Sequence, residues 1–131
     1  MVDTNATLAD LLRSRHAEIP LFILNMVNTD RFEGVATEAG KRLFREHLLY
    51  WWKLEEGGHL LGAGPVDLGQ PNQEGFAVLM ATSMAEALEL ARAEPFHQAG
   101  WRRNTVRSWQ LNEGTLVPTA RSMWQGHTAK P

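Results

Sequence analysis

Two apolar segments of strand length constrain the fold of this chain more than any other feature. Residues 20–27 read PLFILNMV and residues 76–82 read FAVLMAT. Apolar residues at consecutive strand positions are typical of a sheet that is covered on both faces. The sequence therefore predicts a sheet whose central strands are buried on both sides.

Helical periodicity separates the two segments and follows the second. From Thr37 to Glu56 apolar residues recur every three or four positions, and Gly57-Gly58 ends the pattern. Ser83-Met84-Ala85-Glu86 forms a capping box that begins a second helix, which we expect to end at Pro95.

Two shorter strands complete the pattern, at His59–Ala63 and at Thr105–Leu111, with a polar connection from Asp67 to Glu74. The order is strand, helix, strand, strand, helix, strand. This order predicts an α+β, ferredoxin-like βαββαβ fold with an antiparallel sheet.

The ends of the chain add to this core. An amphipathic helix is expected from Thr7, ending near Arg13 to His16, and Asn112–Pro131 reads as a loosely packed tail. A length of 131 residues suits a single domain over 1–131, with its core at about 20–112.

A second copy of the chain is the expected cover for the outer sheet face, because two helices cover only one face of four strands. This predicts a homodimer. The alternative is that the N-terminal helix or the tail covers that face.

Composition limits the classes of function. The chain has no cysteine, which rules out a disulfide framework and a thiol nucleophile and suits a reducing compartment. The start does not read as a signal peptide, and no uncharged segment reaches membrane-spanning length, so we expect a cytoplasmic protein without a membrane partner. A net charge of −2 without a basic stripe argues against nucleic acid.

Sequence motifs for metals and phosphates are absent. The histidines show neither His-x-His nor His-Glu-x-x-His spacing, and no glycine-rich nucleotide motif occurs. We therefore expect neither a metal nor a cofactor.

Three segments carry a family resemblance, in the family's own order and spacing. They are Arg45–Leu49 (REHLL), Glu56–Pro65 (EGGHLLGAGP) and Ala93–Gly100 (AEPFHQAG). Together they resemble the YciI-like (YCII-related) family over about residues 20–112. The resemblance implies a dimeric α/β barrel of two facing sheets, with a cleft in each subunit that holds a histidine and an acid.

Carried over residue by residue, the histidine is His47 and the acid is Glu94, which stands where the family usually has aspartate. The resemblance implies a cofactor-independent enzyme that uses this dyad for proton transfer, as in elimination or isomerisation of a catabolic ring compound. A non-catalytic domain that binds a small ligand, or an accessory domain, is the alternative.

His47 is also a candidate on its own pattern, since it lies on the apolar helix face one turn from Phe44 and Trp51. An oriented imidazole there can take a proton from a small acidic substrate. The simpler interpretation is a core histidine bonded to a backbone carbonyl. Glu94 has its own alternative, as a solvated residue at a helix end.

Four further residues are candidates for substrate binding. Gly62, Gly64 and Pro65 let the backbone approach a ligand closely, although they also suit the turn that leaves the second strand. Trp52 points away from Trp51 on the helix and is predicted to line the cleft or the dimer contact, with core packing as the alternative.

Overall fold

The computed structural model describes residues 2–15, 19–70 and 73–129. The predicted helix end at His16 and residues 71–72 of the polar connection lie outside this range. The elements in chain order are α1 (Leu8–Arg15), β1 (Leu21–Asn28), α2 (Glu38–Glu56), β2 (Leu60–Val66), β3 (Glu74–Met80), α3 (Met84–Arg92), α4 (Pro95–Gln98), β4 (Arg102–Trp109) and α5 (Leu116–Thr128).

The four strands form one antiparallel sheet in the order β2-β3-β1-β4. The two apolar segments are the central strands β1 and β3, and Leu24 pairs with Ala77 of β3 and Val106 of β4. The predicted α+β, ferredoxin-like arrangement is confirmed.

Helices α2 and α3 pack on one face of this sheet. Thr37 begins α2, since its side chain accepts a hydrogen bond from the Gly40 backbone at 2.9 Å, and Ser83 caps α3 in the same way. Residues two apart on each strand point to the same face, which gives a core shared by strands and helices. Its buried members are Phe22, Leu24, Met26, Trp51, Leu54, Ala77, Leu79, Ala81, Ala87 and Ala91.

The opposite, outer face of the sheet is apolar at its centre. Leu21, Val78 and Met80 are buried there, whereas Val27 is 43% exposed and Phe76 is 37% exposed. The exposed apolar part therefore lies toward the end of the sheet where β1 finishes and β3 begins.

Several boundaries differ from the predicted ones; β3, for example, covers Glu74–Met80 rather than residues 76–82. Strand β2 continues through Gly64-Pro65 to Val66, because it lies at the sheet edge, where proline is tolerated. Strand β4 begins at Arg102 rather than Thr105, since its arginines and Asn104 hide the apolar alternation. Helix α3 ends at Arg92, before Pro95, and a further single helical turn, α4, begins at Pro95.

The C-terminal segment, predicted to be a loosely packed tail, forms helix α5, in which Val117 and Ala120 are buried. Pro118 is the third residue of α5, within the first turn, where a missing backbone N–H costs no helical hydrogen bond. Helices α1 and α5 belong to a compact unit made of Met1–Ile19 and Gln110–Pro131, and the sheet belongs to a second unit, Pro20–Trp109. Among the described residues, no helix is both long and apolar enough to cross a membrane.

Candidate functional site

The position of Glu94 follows from the proline beside it. A residue before proline is disfavoured in the helical region, and Glu94 accordingly adopts an extended backbone with ψ of 130°. Helix α3 therefore ends at Arg92, and the Glu94 side chain turns inward to cap α4, where it accepts a hydrogen bond from the His97 backbone at 3.0 Å. The side chain of Glu94 is completely buried.

His47 lies on the inner face of α2 and meets this carboxylate. Its Nδ1 contacts Oε1 of Glu94 directly, while Oε2 faces the His97 backbone N–H and the side-chain amide of Asn104 at 3.4 Å. Burial raises the pKa of Glu94, but the hydrogen bond and charge of His47 and the backbone N–H groups of His97 and Phe96 lower it, and the lowering prevails. Glu94 is therefore a buried carboxylate held in its ionised form.

The second nitrogen of His47 is also engaged. The indole Nε1 of Trp51 donates a hydrogen bond to His47 Nε2 at 2.9 Å. An indole N–H can only donate, so Nε2 must be the unprotonated nitrogen, and Nδ1 carries the proton toward Glu94. The chain Trp51 to His47 to Glu94 thus fixes one tautomer of the imidazole.

Aromatic rings hold the imidazole in place. The ring centroid of Phe96 is 4.6 Å from that of His47, and Phe44 and Trp51 lie at 6.0 and 5.5 Å. These contacts leave His47 9% exposed. The imidazole is therefore fixed by packing as well as by its two hydrogen bonds.

A cavity of about 390 Å³ opens beside the dyad, within the sheet-bearing unit. This volume falls in the range of roughly 300 to 1,000 Å³ that is usual for small-molecule sites. The cavity is mainly apolar, with a few polar groups. Its lining residues are Met26, Phe44, His47, Leu48, Trp51, Ala63, Gly64, Pro65, Gln73, Glu74, Gly75 and Arg102.

Residues 23–110 match the YCII-related domain. The chain belongs to the YCII-related family. Among curated proteins, none matches this chain. Among solved structures, the chain is similar to 5-chloro-2-hydroxyhydroquinone dehydrochlorinase (TftG) from Burkholderia phenoliruptrix, in complex with 2,5-dihydroxybenzoquinone. The two sequences are 21% identical, the TM-score is 0.52, and the match covers 68% of this chain and 92% of that one. This likeness shows the same fold.

The four residues predicted to bind substrate divide into two groups in space. Gly64 and Pro65, from the Gly-x-Leu-x-x-Ala-Gly-Pro segment, line the cavity with His47. Gly62 does not line it, because it pairs with Val78 further along the β2–β3 ladder. Trp52 is 65% exposed and also lies outside the cavity lining, because the next residue of a helix points about 100° away from Trp51.

Several residues of the site have no signal in the sequence pattern. Arg102 and Asn104 lie in a segment that reads as polar, and Gln73 lies in the polar connection. Trp51 carries a core signal only, which hides its role as the hydrogen-bond donor to His47. Over the described parts of the chain, no group of three or more His, Cys, Asp or Glu side chains is placed to hold a metal ion.

Proposed function

We propose that this YCII-related protein is a cofactor-independent small-molecule enzyme that uses the His47–Glu94 dyad for proton transfer. One observation carries the proposal: a completely buried, ionised carboxylate orients an imidazole that lines a cavity of suitable size. A carboxylate in this position fixes the tautomer and stabilises the imidazolium that forms when a base takes a proton.

In this proposal Glu94 orients and His47 transfers the proton. Nδ1 keeps its proton toward Glu94, so that Nε2 is the atom that accepts a proton from the substrate. Since Trp51 occupies Nε2, the indole must give way to the substrate before transfer. Proton transfer then depends on a rotation of Trp51, which lines the same cavity.

A ring compound is the proposed substrate class. The cavity walls include the aromatic side chains Phe44 and Trp51, which suit a flat ring. TftG, with the same fold, is named for a dehydrochlorination of a ring compound. Elimination is therefore the first reaction to test, with isomerisation second: the base removes a proton and the leaving group departs with its bonding electrons.

A second candidate function is a non-catalytic domain that binds a small ligand or serves as an accessory domain. The hydrogen bond from Trp51 favours it, because both imidazole nitrogens already have protein partners. In that case the dyad would serve only to stabilise the cavity wall.

Chloride release from 5-chloro-2-hydroxyhydroquinone, together with turnover of other substituted hydroquinones, tests the first proposal. His47→Asn and Glu94→Gln should lower turnover by about 10²-fold or more, the usual contribution of a positioned acid or base. His127→Asn, in α5, is the control and should retain turnover. Turnover that survives His47→Asn would exclude the proton-transfer role, and ligand binding without turnover would favour the second candidate.

We also propose that two copies pair through the outer face of the sheet. The support is the exposed apolar group of Val27 and Phe76, with half-buried Ile23 beside them on the same face. Light scattering after gel filtration should give a dimer mass, and Phe76→Glu should shift it toward the monomer. A monomer mass for the unaltered chain would contradict this. The cytoplasmic location stays a prediction from composition.

A further inference from the structure

The side chain of Arg102 places a positive charge beside the cavity, and the proton-transfer proposal does not use this charge. It begins β4 opposite Asn28, and its Nε donates to Asn28 Oδ1 at 2.9 Å. The guanidinium carbon lies 4.9 Å from the ring centroid of Phe96 and 6.0 Å from that of Phe32. Asn28 thus satisfies the Nε of the guanidinium, and two aromatic rings lie beside its central carbon.

The two Nη atoms have no protein partner in the part of the chain that the structure describes. Within the described ranges, neither Nη of Arg102 donates to a protein acceptor or approaches a carboxylate within ion-pair distance. Gly75 has no side chain, and a Cβ at this residue would lie 3.4 Å from Nη1 of Arg102. The space beside Nη1 therefore stays open to the cavity. A guanidinium has five N–H donors in a fixed fork, and here only Nε is satisfied.

Gln73 supplies a second unused donor in the same cavity. Its Nε2 is buried and has no hydrogen-bond partner among the residues the structure describes. A buried donor without a partner costs about 1–3 kcal/mol, which a ligand acceptor would recover. Two residues with unpaired donors therefore line one cavity whose other lining residues are mainly apolar, apart from His47 and Glu74.

We propose that Arg102 and Gln73 form an oxyanion-binding subsite, and that the ligand of this cavity is a ring compound with a planar negative group. A carboxylate and an ionised ring enol share this chemistry, since both spread negative charge over oxygen atoms that a guanidinium edge can meet. The inference rests on the proposed function only in placing the ligand in this cavity. It does not require His47 to transfer a proton.

Two carboxylates bear on this assignment. Burial lowers the pKa of Arg102, the charge of Glu94 raises it by less, and an arginine stays charged in either case. Glu74 lines the cavity but is exposed, and the described residues show no ion pair between it and Arg102. The exposed charge of Glu74 is screened by solvent, which leaves the partly buried guanidinium as the stronger local field.

The test is an NMR titration of the full chain with benzoate, 2,5-dihydroxybenzoquinone and the neutral isostere benzamide. Benzoate or the quinone should shift the amide signals of residues 73–75 and 102. At least one of these two anions should bind more tightly than benzamide. Tighter binding of benzoate would indicate a carboxylate ligand, and tighter binding of the quinone would indicate an ionised enol. Arg102→Gln should weaken the anion about tenfold or more, as expected for a lost charge-assisted bond. Arg103→Gln, on the exposed opposite side of the strand, is the matched control and should change it less than about twofold.

Gln73→Glu keeps the shape of that side chain and replaces a donor by a negative acceptor, so it should also weaken the anions. This variant decides the matter if Arg102→Gln fails to fold. The subsite would be overturned if neither benzoate nor 2,5-dihydroxybenzoquinone binds more tightly than benzamide, or if the two arginine variants have equal effects. Anion binding without turnover would remove the proton-transfer proposal and leave the subsite standing.

Discussion

Replacing Glu94 by glutamine should strongly destabilise this protein, although the two side chains have the same shape. In the structure both carboxylate oxygens face donors: Oε1 faces His47 Nδ1, and Oε2 faces the His97 backbone N–H and the Asn104 amide. A glutamine must point its NH₂ group at one of these sides. Either placement brings two donors together.

The imidazole cannot resolve this conflict by changing tautomer. If Nδ1 became the acceptor for a glutamine NH₂, Nε2 would carry the proton and would face the indole N–H of Trp51. The variant thus loses one charge-assisted hydrogen bond, worth about 1.5–3 kcal/mol, and leaves a buried donor unsatisfied, worth about 1–3 kcal/mol. Because the two costs overlap, we expect the free energy of unfolding to fall by about 3 kcal/mol.

Unfolding in guanidinium chloride at neutral pH measures this loss in the free energy of unfolding. Glu89→Gln, an exposed position on α3, is the matched control and should change the free energy of unfolding by less than about 0.5 kcal/mol. If Glu94→Gln behaves like this control, the hydrogen-bond pattern derived for the site is wrong.

The same pair of proteins gives a pH test. Because the folded-state pKa of Glu94 lies below the ordinary value of 4.5, this carboxylate stabilises the fold fully above that value. The stabilisation is lost as the pH falls through the lower, folded-state pKa. Unfolding measured below about pH 4.5 should therefore show a steeper loss for the unaltered chain than for Glu94→Gln, and equal slopes would contradict the assigned pKa direction.

Two substitutions and one titration of the unaltered chain give further tests. Gly75→Ala places a Cβ 2.7 Å from the terminal carbon of Met26, so that the flexible Met26 side chain must move within the cavity wall. Isothermal titration with benzoate or 2,5-dihydroxybenzoquinone should show weaker binding, with little change in the stability of the protein. Unchanged binding would count against the cavity as the ligand site. Tyr50 is the only tyrosine of the chain, and burial and, secondly, Glu94 raise its pKa to about 12. The absorbance of tyrosinate should therefore rise near pH 12. A titration midpoint near pH 10 would contradict the burial of Tyr50. Trp52→Ala should leave ligand affinity unchanged, since this exposed side chain lies outside the cavity lining, and a large loss would return Trp52 to the site.

The sheet could be predicted because its signals are local. The apolar runs at 20–27 and 76–82 and the capping box at Ser83 act within a few residues, and the structure has β1, β3 and α3 there. Helix α5 was missed for the same reason, since Pro118 and Gly126 are local signals against a helix, and only the placement of the proline in the first turn makes it harmless.

The polar partners in the cavity could not be predicted from local signals. The pairing of β1 with β4 places Arg102 opposite Asn28, 74 residues away in the chain. Asn104 reaches Glu94 only because α4 turns back onto the strand. Trp51 is predicted to lie one turn from His47, but helical spacing does not show that its indole N–H donates to the imidazole. The helical pattern and the family resemblance both pointed to His47, and the resemblance alone pointed to Glu94, but neither carried information on these neighbours.

Because Trp51 is hydrogen-bonded to His47, Nε2 of the imidazole is accessible to a ligand in only a fraction of the molecules at any moment. Nε2 is free only in the fraction of molecules in which the indole has rotated away, and the apparent affinity of a ligand that needs this atom is reduced by that fraction. The indole proton would exchange with solvent only in those same molecules. Its hydrogen-exchange rate is thus a readout, in the ligand-free protein, of how often the site is open to chemistry.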